Sequence, residues 1–112
     1  MHPPVPSVAI DAVPDPVPAD LTVLDVREDD EWQAGHVEGA VHLPLSELGQ
    51  RADEVPDGQL LVVCKVGGRS ARVVAWLTSQ GRDAVNLDGG MLDWEAAGRP
   101  MVSETDAAPY VS

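Results

Sequence analysis

The residue types able to do covalent chemistry are few, and they gather in one place. The chain's only cysteine, Cys64, ends the apolar run Leu60-Leu61-Val62-Val63 and is followed by Lys65, Val66, Gly67, Gly68, Arg69 and Ser70. The thiolate is the nucleophilic form of cysteine, and nearby cations or a helix N-terminus stabilise it against the neutral thiol. Gly67 and Gly68 can both take positive φ, which lets successive backbone N–H groups curl around an anion. A helix opening at Ser70 aims its positive end at the same point, and Lys65, Arg69 and Arg72 add charge of the same sign. Cys64 is therefore expected to ionise more readily than a free thiol. The competing reading, a buried small hydrophobe, is the common one for a lone cysteine after a strand. It leaves two glycines and three cations within the next eight residues without a purpose.

Such a loop belongs at the carboxyl end of a strand, where open α/β sheets bind ligands. Leu60 to Val63 is continuously apolar, as in a parallel strand covered on both faces. From Ser70 onward, Ala71, Val74, Ala75 and Thr78 recur at helical spacing beside Val73, Trp76 and Leu77, and Gly81 stops the helix. Upstream, Leu21 to Val26 reads as a strand, Asp29 and Asp30 as an acidic helix start, and Gly35 as its stop. Ala40 to Leu43 is a further strand closed by Pro44, and Ser46 can cap a modest helix that ends before Pro56. Downstream, Ala84 to Leu87 is a strand, and Asp88-Gly89-Gly90 turns into a short helix carrying Met91, Leu92 and Trp94. This alternation predicts an α/β domain with a mainly parallel sheet.

The ends read differently from the middle. Ser7 to Val13 alternates as a short strand would, while six of the ten prolines (Pro3, Pro4, Pro6, Pro14, Pro16, Pro18) keep the lead-in extended. Residues 1–20 are thus expected to be an N-terminal strand and connector that belong to the domain. Residues 103–112 lack apolar periodicity and are expected to form a flexible tail, disordered or only loosely docked.

Seven basic against nineteen acidic residues give a net charge of −12, which argues against sequence-independent binding to nucleic acid or anionic membrane. Yet between Asp57 and Asp83 there is no acidic residue, while Lys65, Arg69, Arg72 and Arg82 fall there with Cys64. One cysteine forms no internal disulfide and no thiolate-rich metal site, so reactivity or burial must account for it. No stretch approaches the roughly 20 apolar residues needed to cross a bilayer, and Met1 to Val13 lacks a secretory pattern, so a cytoplasmic location is expected.

Five segments in order resemble the rhodanese family: Leu24-Asp25-Val26-Arg27-Glu28, Gly35-His36-Val37-Glu38-Gly39-Ala40, Pro44, Cys64 to Ser70, and Asp88-Gly89-Gly90 with Trp94. The match runs from about Leu21 to Val102, so the resemblance implies a rhodanese-like domain over residues 21–102. The resemblance implies a three-layer α/β/α sandwich with a five-stranded sheet in the order 3-2-4-5-1. It also implies sulfur transfer through a Cys64 persulfide from thiosulfate or another small anionic donor to cyanide, a thiol or a protein acceptor, with no metal or organic cofactor. Carried over residue by residue, Cys64 is the sulfur-accepting nucleophile, and Lys65, Val66, Gly67, Gly68 and Arg69 form the loop around it. Arg69 either anchors that loop or binds the donor anion. Ser70, Arg72, Asp25 and Arg27 support it, the last two more as an internal ion pair than as chemical groups. His36 reads as structural, Met91 and Trp94 as core or pocket wall, Trp32 stands where aromatic residues are common in the family's motif, and His2 and His42 carry no signal.

Two rival functions share these features. Cys-dependent phosphatases and arsenate reductases of related fold also hold an oxyanion over a cysteine followed by arginine. Here, however, Cys64 to Arg69 spans six residues, one fewer than the phosphatase signature. A non-catalytic binding module on the same fold is the other rival, since fold does not fix function. Modules of that kind generally lack the cysteine.

Overall fold

Leucine and β-branched side chains without a polar break suit a strand covered on both faces. In the computed structural model, which describes residues 5–112, that segment is the central strand of the sheet. The strands are β1 (Ser7–Val8), β2 (Leu21–Asp25), β3 (Val41–His42), β4 (Gln59–Val63) and β5 (Ala84–Leu87). The helices are α1 (Asp29–Ala34), α2 (Leu45–Leu48), α3 (Gly68–Ser79) and α4 (Gly90–Ala96). Every pairing is parallel and the order is β1-β5-β4-β2-β3, the expected order seen from the other edge. The expected "mainly parallel" sheet is parallel throughout. His2, Pro3 and Pro4 lie outside the described residues; among the described residues no helix is long and apolar enough to cross a membrane.

Side chains alternate across a strand, and β4 uses both faces. Leu60, Val62 and Cys64 join one apolar cluster with Leu24, Leu48, Val73, Val74 and Leu77. Leu61 and Val63 join the other, with Val23, Leu87, Met91 and Trp94. Thus α2 and α3 cover one face and α4 the other, and Cys64 leaves the strand toward α3.

Several element ends differ from expectation, each for a local reason. The first strand stops at Val8 because it is an edge that pairs only with Asn86 and Leu87; Ile10–Ala12 then forms a 3-10 turn that delivers Val13 to the core. Ser46 does not cap α2. Its hydroxyl instead donates to the Glu28 carboxylate at 2.6 Å, tying α2 to the start of α1. Glu28 and Glu31 cap α1 reciprocally, so the acidic start lies one residue earlier than Asp29. Gly35 ends α1 with extended φ, so left-handed geometry is not its role; a Cβ there would meet the Tyr110 main chain at 2.6 Å.

That contact reflects how residues 103–112 lie. They contain no helix or strand, but the Glu104 and Tyr110 amides donate to the carbonyls of Gln33 and Ala34, and the Val111 amide donates to the Glu95 carboxylate. Val111 also packs on the second cluster. Backbone bonds of this kind need no apolar periodicity, which is why the pattern pointed to a loose tail.

The end of β2 carries a fully buried ion pair. The Arg27 Nη2 donates to Asp25 at 2.8 Å and to the Gly35 carbonyl at 2.7 Å, and Nε bridges both Asp25 oxygens. The Arg27 carbonyl accepts from His42 Nε2, and the His42 ring stacks on Trp32, whose other side stacks on His36. Removing one partner of a buried pair strands the other charge. Asp25→Ala is therefore expected to lower unfolding free energy by about 3–5 kcal/mol, measured from urea midpoints, while exposed Asp53→Ala leaves the midpoint within about 0.5 kcal/mol.

Candidate active site

The parallel register brings the ends of β2 and β4 together: Asp25 faces Val63, and the Val26 amide donates to the Val63 carbonyl at 3.0 Å. Cys64 follows immediately. The α4 N-terminus holds the loop's base, with the Met91 amide donating to the Cys64 carbonyl at 2.8 Å and the Leu92 amide to the Lys65 carbonyl at 3.0 Å. This approach needs Gly90 at φ +57, since a Cβ would fall 2.5 Å from the Cys64 carbonyl oxygen.

The loop then turns back on the sulfur. Gly67 takes φ +103 and its amide donates to Cys64 Sγ at 3.1 Å. Gly68, expected to share that conformation, is instead the first residue of α3, two positions earlier than the apolar pattern placed the helix start. The Ser70 hydroxyl lies 3.2 Å from Sγ and 2.5 Å from Asn86 Oδ1, and Asn86 Nδ2 donates to the Gly67 carbonyl at 3.2 Å.

Cys64 has no exposed surface, as the hydrophobe reading requires, but its surroundings are those of an anion. Burial alone pushes the thiol pKa up. The Ser70 hydroxyl and the amides of Ser70, Gly67 and Val66 oppose it, and the net direction is down. A pocket built only for packing would supply no such donors.

The charged residues divide. Arg69 presents both terminal nitrogens to Glu31 of α1, at 2.7 and 2.9 Å, so its fork is occupied by a carboxylate. The Arg69 hydrogen bond holds the Glu31 carboxyl down at about 2 despite partial burial, and Glu31 in turn pushes the guanidinium pKa up. Of the two expected roles for Arg69, this geometry is that of an anchor. Arg72 is not brought into the cradle: it lies two residues past Ser70, about 200° around the helix, and lines a surface groove with Trp76 and α2. Arg82 is at the other end of the sheet, on the carbonyls of Val55 and Pro56. Lys65 is half-buried and Val66 exposed at the loop's outer edge. Asp25 and Arg27 make the internal pair described above, beside the Cys64 end of β4.

Glu31 and Asn86 were missed by reading along the chain, being 38 and 16 residues from their partners Arg69 and Ser70. Glu31 left one trace, its place three residues after Glu28 in a capping pair. Asn86 left a polar residue inside an otherwise apolar strand.

Two outcomes follow. Ser70→Ala removes a donor to the thiolate, so the midpoint of Cys64 alkylation rate against pH is expected to rise by about one unit, whereas Thr78→Ala leaves it in place. Glu31 has a folded pKa below its unfolded value, so its pairing with Arg69 stabilises fully above the ordinary carboxylate range and is lost as pH falls toward about 2. Glu31→Gln should therefore lower the urea midpoint by about 1 kcal/mol equivalent near neutral pH, with the deficit shrinking on acidification. A pH-independent deficit counts against the pairing.

Comparison with known proteins agrees with this geometry. The family model described as "Rhodanese-like domain" matches residues 10–97. A sulfurtransferase of Allochromatium vinosum is 34% identical over 86 residues, covering 75% of this chain and 80% of that protein. A rhodanese-related protein of Thermoplasma volcanium superposes with TM-score 0.81 at 32% identity, over 87% of this chain and 97% of that one. The thiosulfate sulfurtransferase of Pseudomonas aeruginosa gives TM-score 0.73 at 28% identity, over 90% of this chain but 21% of that one. Several curated relatives are longer: the chain spans 51% of one from Bacillus subtilis and 38% of one from Mycobacterium tuberculosis. These relatives support sulfurtransferase chemistry of the rhodanese type. By family match, sheet order and the placement of its cysteine loop, the chain belongs to the rhodanese-like domain family.

Proposed function

We propose that the chain is a sulfurtransferase that carries sulfane sulfur as a persulfide on Cys64, taking it from thiosulfate or a related anionic donor. The observation that carries this reading is the set of donors turned on a buried sulfur, from Gly67 and Ser70. In the first half-reaction the Cys64 thiolate attacks the outer sulfur of thiosulfate. The new bond joins Sγ to that sulfur, the donor's own S–S bond breaks, and sulfite departs with the electron pair. In the second, cyanide or an acceptor thiolate attacks the outer sulfur and returns Sγ as thiolate. Each stage leaves negative charge on sulfur, and preformed amides hold it without reorganising. No metal or organic cofactor enters either step.

Access needs the loop to give way, because Sγ is covered. Val66 is 59% exposed and nothing lies within 4 Å of a Cβ built on Gly68, so the outer face of the loop is open to an approaching donor. The occupied fork of Arg69 also favours sulfur over phosphate chemistry, since a phosphatase needs that arginine for its oxyanion.

The protein incubated with thiosulfate is expected to gain the mass of one sulfur atom, to lose it on adding cyanide, and to gain nothing as Cys64→Ser. Hydrolysis of a phosphate ester without sulfur uptake would transfer the assignment to a phosphatase, and inertness in both assays to a binding module.

A further inference from the structure

Cations in an acidic chain normally find carboxylates. Among the described residues Arg27, Arg51, Arg69, Arg82 and Arg99 each have one within 4.0 Å. Lys65, on the Cys64 loop, and Arg72, a turn into α3, do not. Among the described residues the large apolar side chains left exposed are Val66, Trp76, Leu92 and Tyr110; Val66 is on the loop, Trp76 on α3, which leaves it, and Leu92 on α4, which packs against its base. Free positive charge and exposed apolar surface thus meet along α3, which begins at the loop.

The two are joined by a groove. Arg69, Arg72 and Trp76 are spaced i, i+3, i+7 and form one stripe along α3, starting at the loop. Facing them, Leu45, Leu48 and Gly49 of the α2 segment complete a groove of about 300 Å³ with Arg72, Val73 and Trp76. Gly49 has nothing within 4 Å of where a Cβ would stand, which keeps that wall open. From Arg69 to Trp76 the helix rises about 10 Å, the reach of about three extended residues.

We propose that this groove docks the sulfur acceptor, and that the acceptor is a protein presenting its thiol on a short extended segment with an acidic and then an apolar residue. This rests on the reading of Cys64 as a sulfur carrier. The acceptor's thiol meets the loop, its carboxylate pairs with Arg72, and its apolar side chain lies between Leu45, Leu48 and Trp76. Val66 and Leu92 extend the contact past the groove, on the loop and on the helix covering the opposite sheet face, an area a small thiol does not fill. The chain's net charge of −12 repels an acidic partner at long range, which favours the orientation that sets its carboxylate on Arg72. In the transfer the acceptor thiol releases its proton to solvent and its thiolate attacks the outer sulfur of the Cys64 persulfide. The bond from that sulfur to Sγ breaks, and Sγ leaves as thiolate.

The test uses the whole chain, treated with thiosulfate, and three blocked tripeptides: Cys-Glu-Leu, the neutral Cys-Gln-Leu, and Ser-Glu-Leu, which binds without accepting sulfur. Cys-Glu-Leu is expected to take sulfur with kcat/KM about tenfold above Cys-Gln-Leu. Arg72→Glu should erase or invert that preference, and Trp76→Ser should slow both peptides. Equal rates for the two peptides, a preference that survives Arg72→Glu, or 2-mercaptoethanol matching Cys-Glu-Leu at equal thiolate concentration would each overturn the docking site. NMR titration with Ser-Glu-Leu separates the two readings. Arg72-dependent shifts on α2 and α3 in a protein that takes up no sulfur would keep the groove as a peptide site and remove the sulfur-transfer reading. Sulfur uptake without such shifts would keep the transfer and remove the groove.

Discussion

A sulfur atom with no exposed surface can hold charge only if donors outweigh the loss of water, and the structure around Cys64 is organised to meet that condition. Desolvation raises the thiol pKa; the Ser70 hydroxyl and the amides of Ser70, Gly67 and Val66 reverse it. These are short-range, fixed dipoles inside a low-dielectric site, where each counts for more than it would at the surface. Long-range charge has a smaller part than composition suggested, because Arg69 is neutralised by Glu31 and Arg72 faces away.

Holding four donors on one atom requires the loop's two ends to be fixed independently. Its start follows directly on a strand paired on both sides, and the α4 amides grip the carbonyls of Cys64 and Lys65. Its end is the first turn of α3, tied through Arg69 to α1. The start of α1 is tied in turn to α2 by the bond between Glu28 and Ser46. Three helix starts are thereby linked by side chains on the same side of the loop. The Asp25–Arg27 pair anchors the neighbouring strand end to Gly35, so the β2 terminus cannot drift from the β4 terminus that carries the cysteine.

What was legible in the sequence follows the range of the interactions. The β4 strand, the loop, α3 and the glycine turn before α4 depend on neighbours a few residues apart, and periodicity and residue type disclosed them. The resemblance supplied the strand order, which periodicity does not contain. Contacts across tens of residues were hidden: Glu31 for Arg69, Asn86 for Ser70, and Tyr110 against Gly35. Arg72 was misplaced for another reason. Proximity in sequence was read as proximity in space, whereas the helix that begins at Gly68 carries Arg72 to the face opposite Ser70.

The Ser70 hydroxyl exposes a limit on how far the cradle can lower the thiol pKa. It has one proton and two acceptors, Cys64 Sγ and Asn86 Oδ1. With a neutral thiol, the S–H can donate to Ser70 while Ser70 donates to Asn86, and every group is satisfied. With a thiolate, the hydroxyl proton is wanted at sulfur, and Asn86 Oδ1 gives up its donor. Asn86 cannot turn to compensate, because its Nδ2 holds the Gly67 carbonyl, which belongs to the residue whose amide serves the sulfur. Ionisation therefore gives up a buried hydrogen bond at Asn86 that offsets part of what it gains at Ser70, leaving the amides as the uncontested stabilisers. A thiolate stabilised without such a counterweight loses nucleophilicity as its pKa falls. The contest for one proton therefore limits how far the thiol pKa can fall.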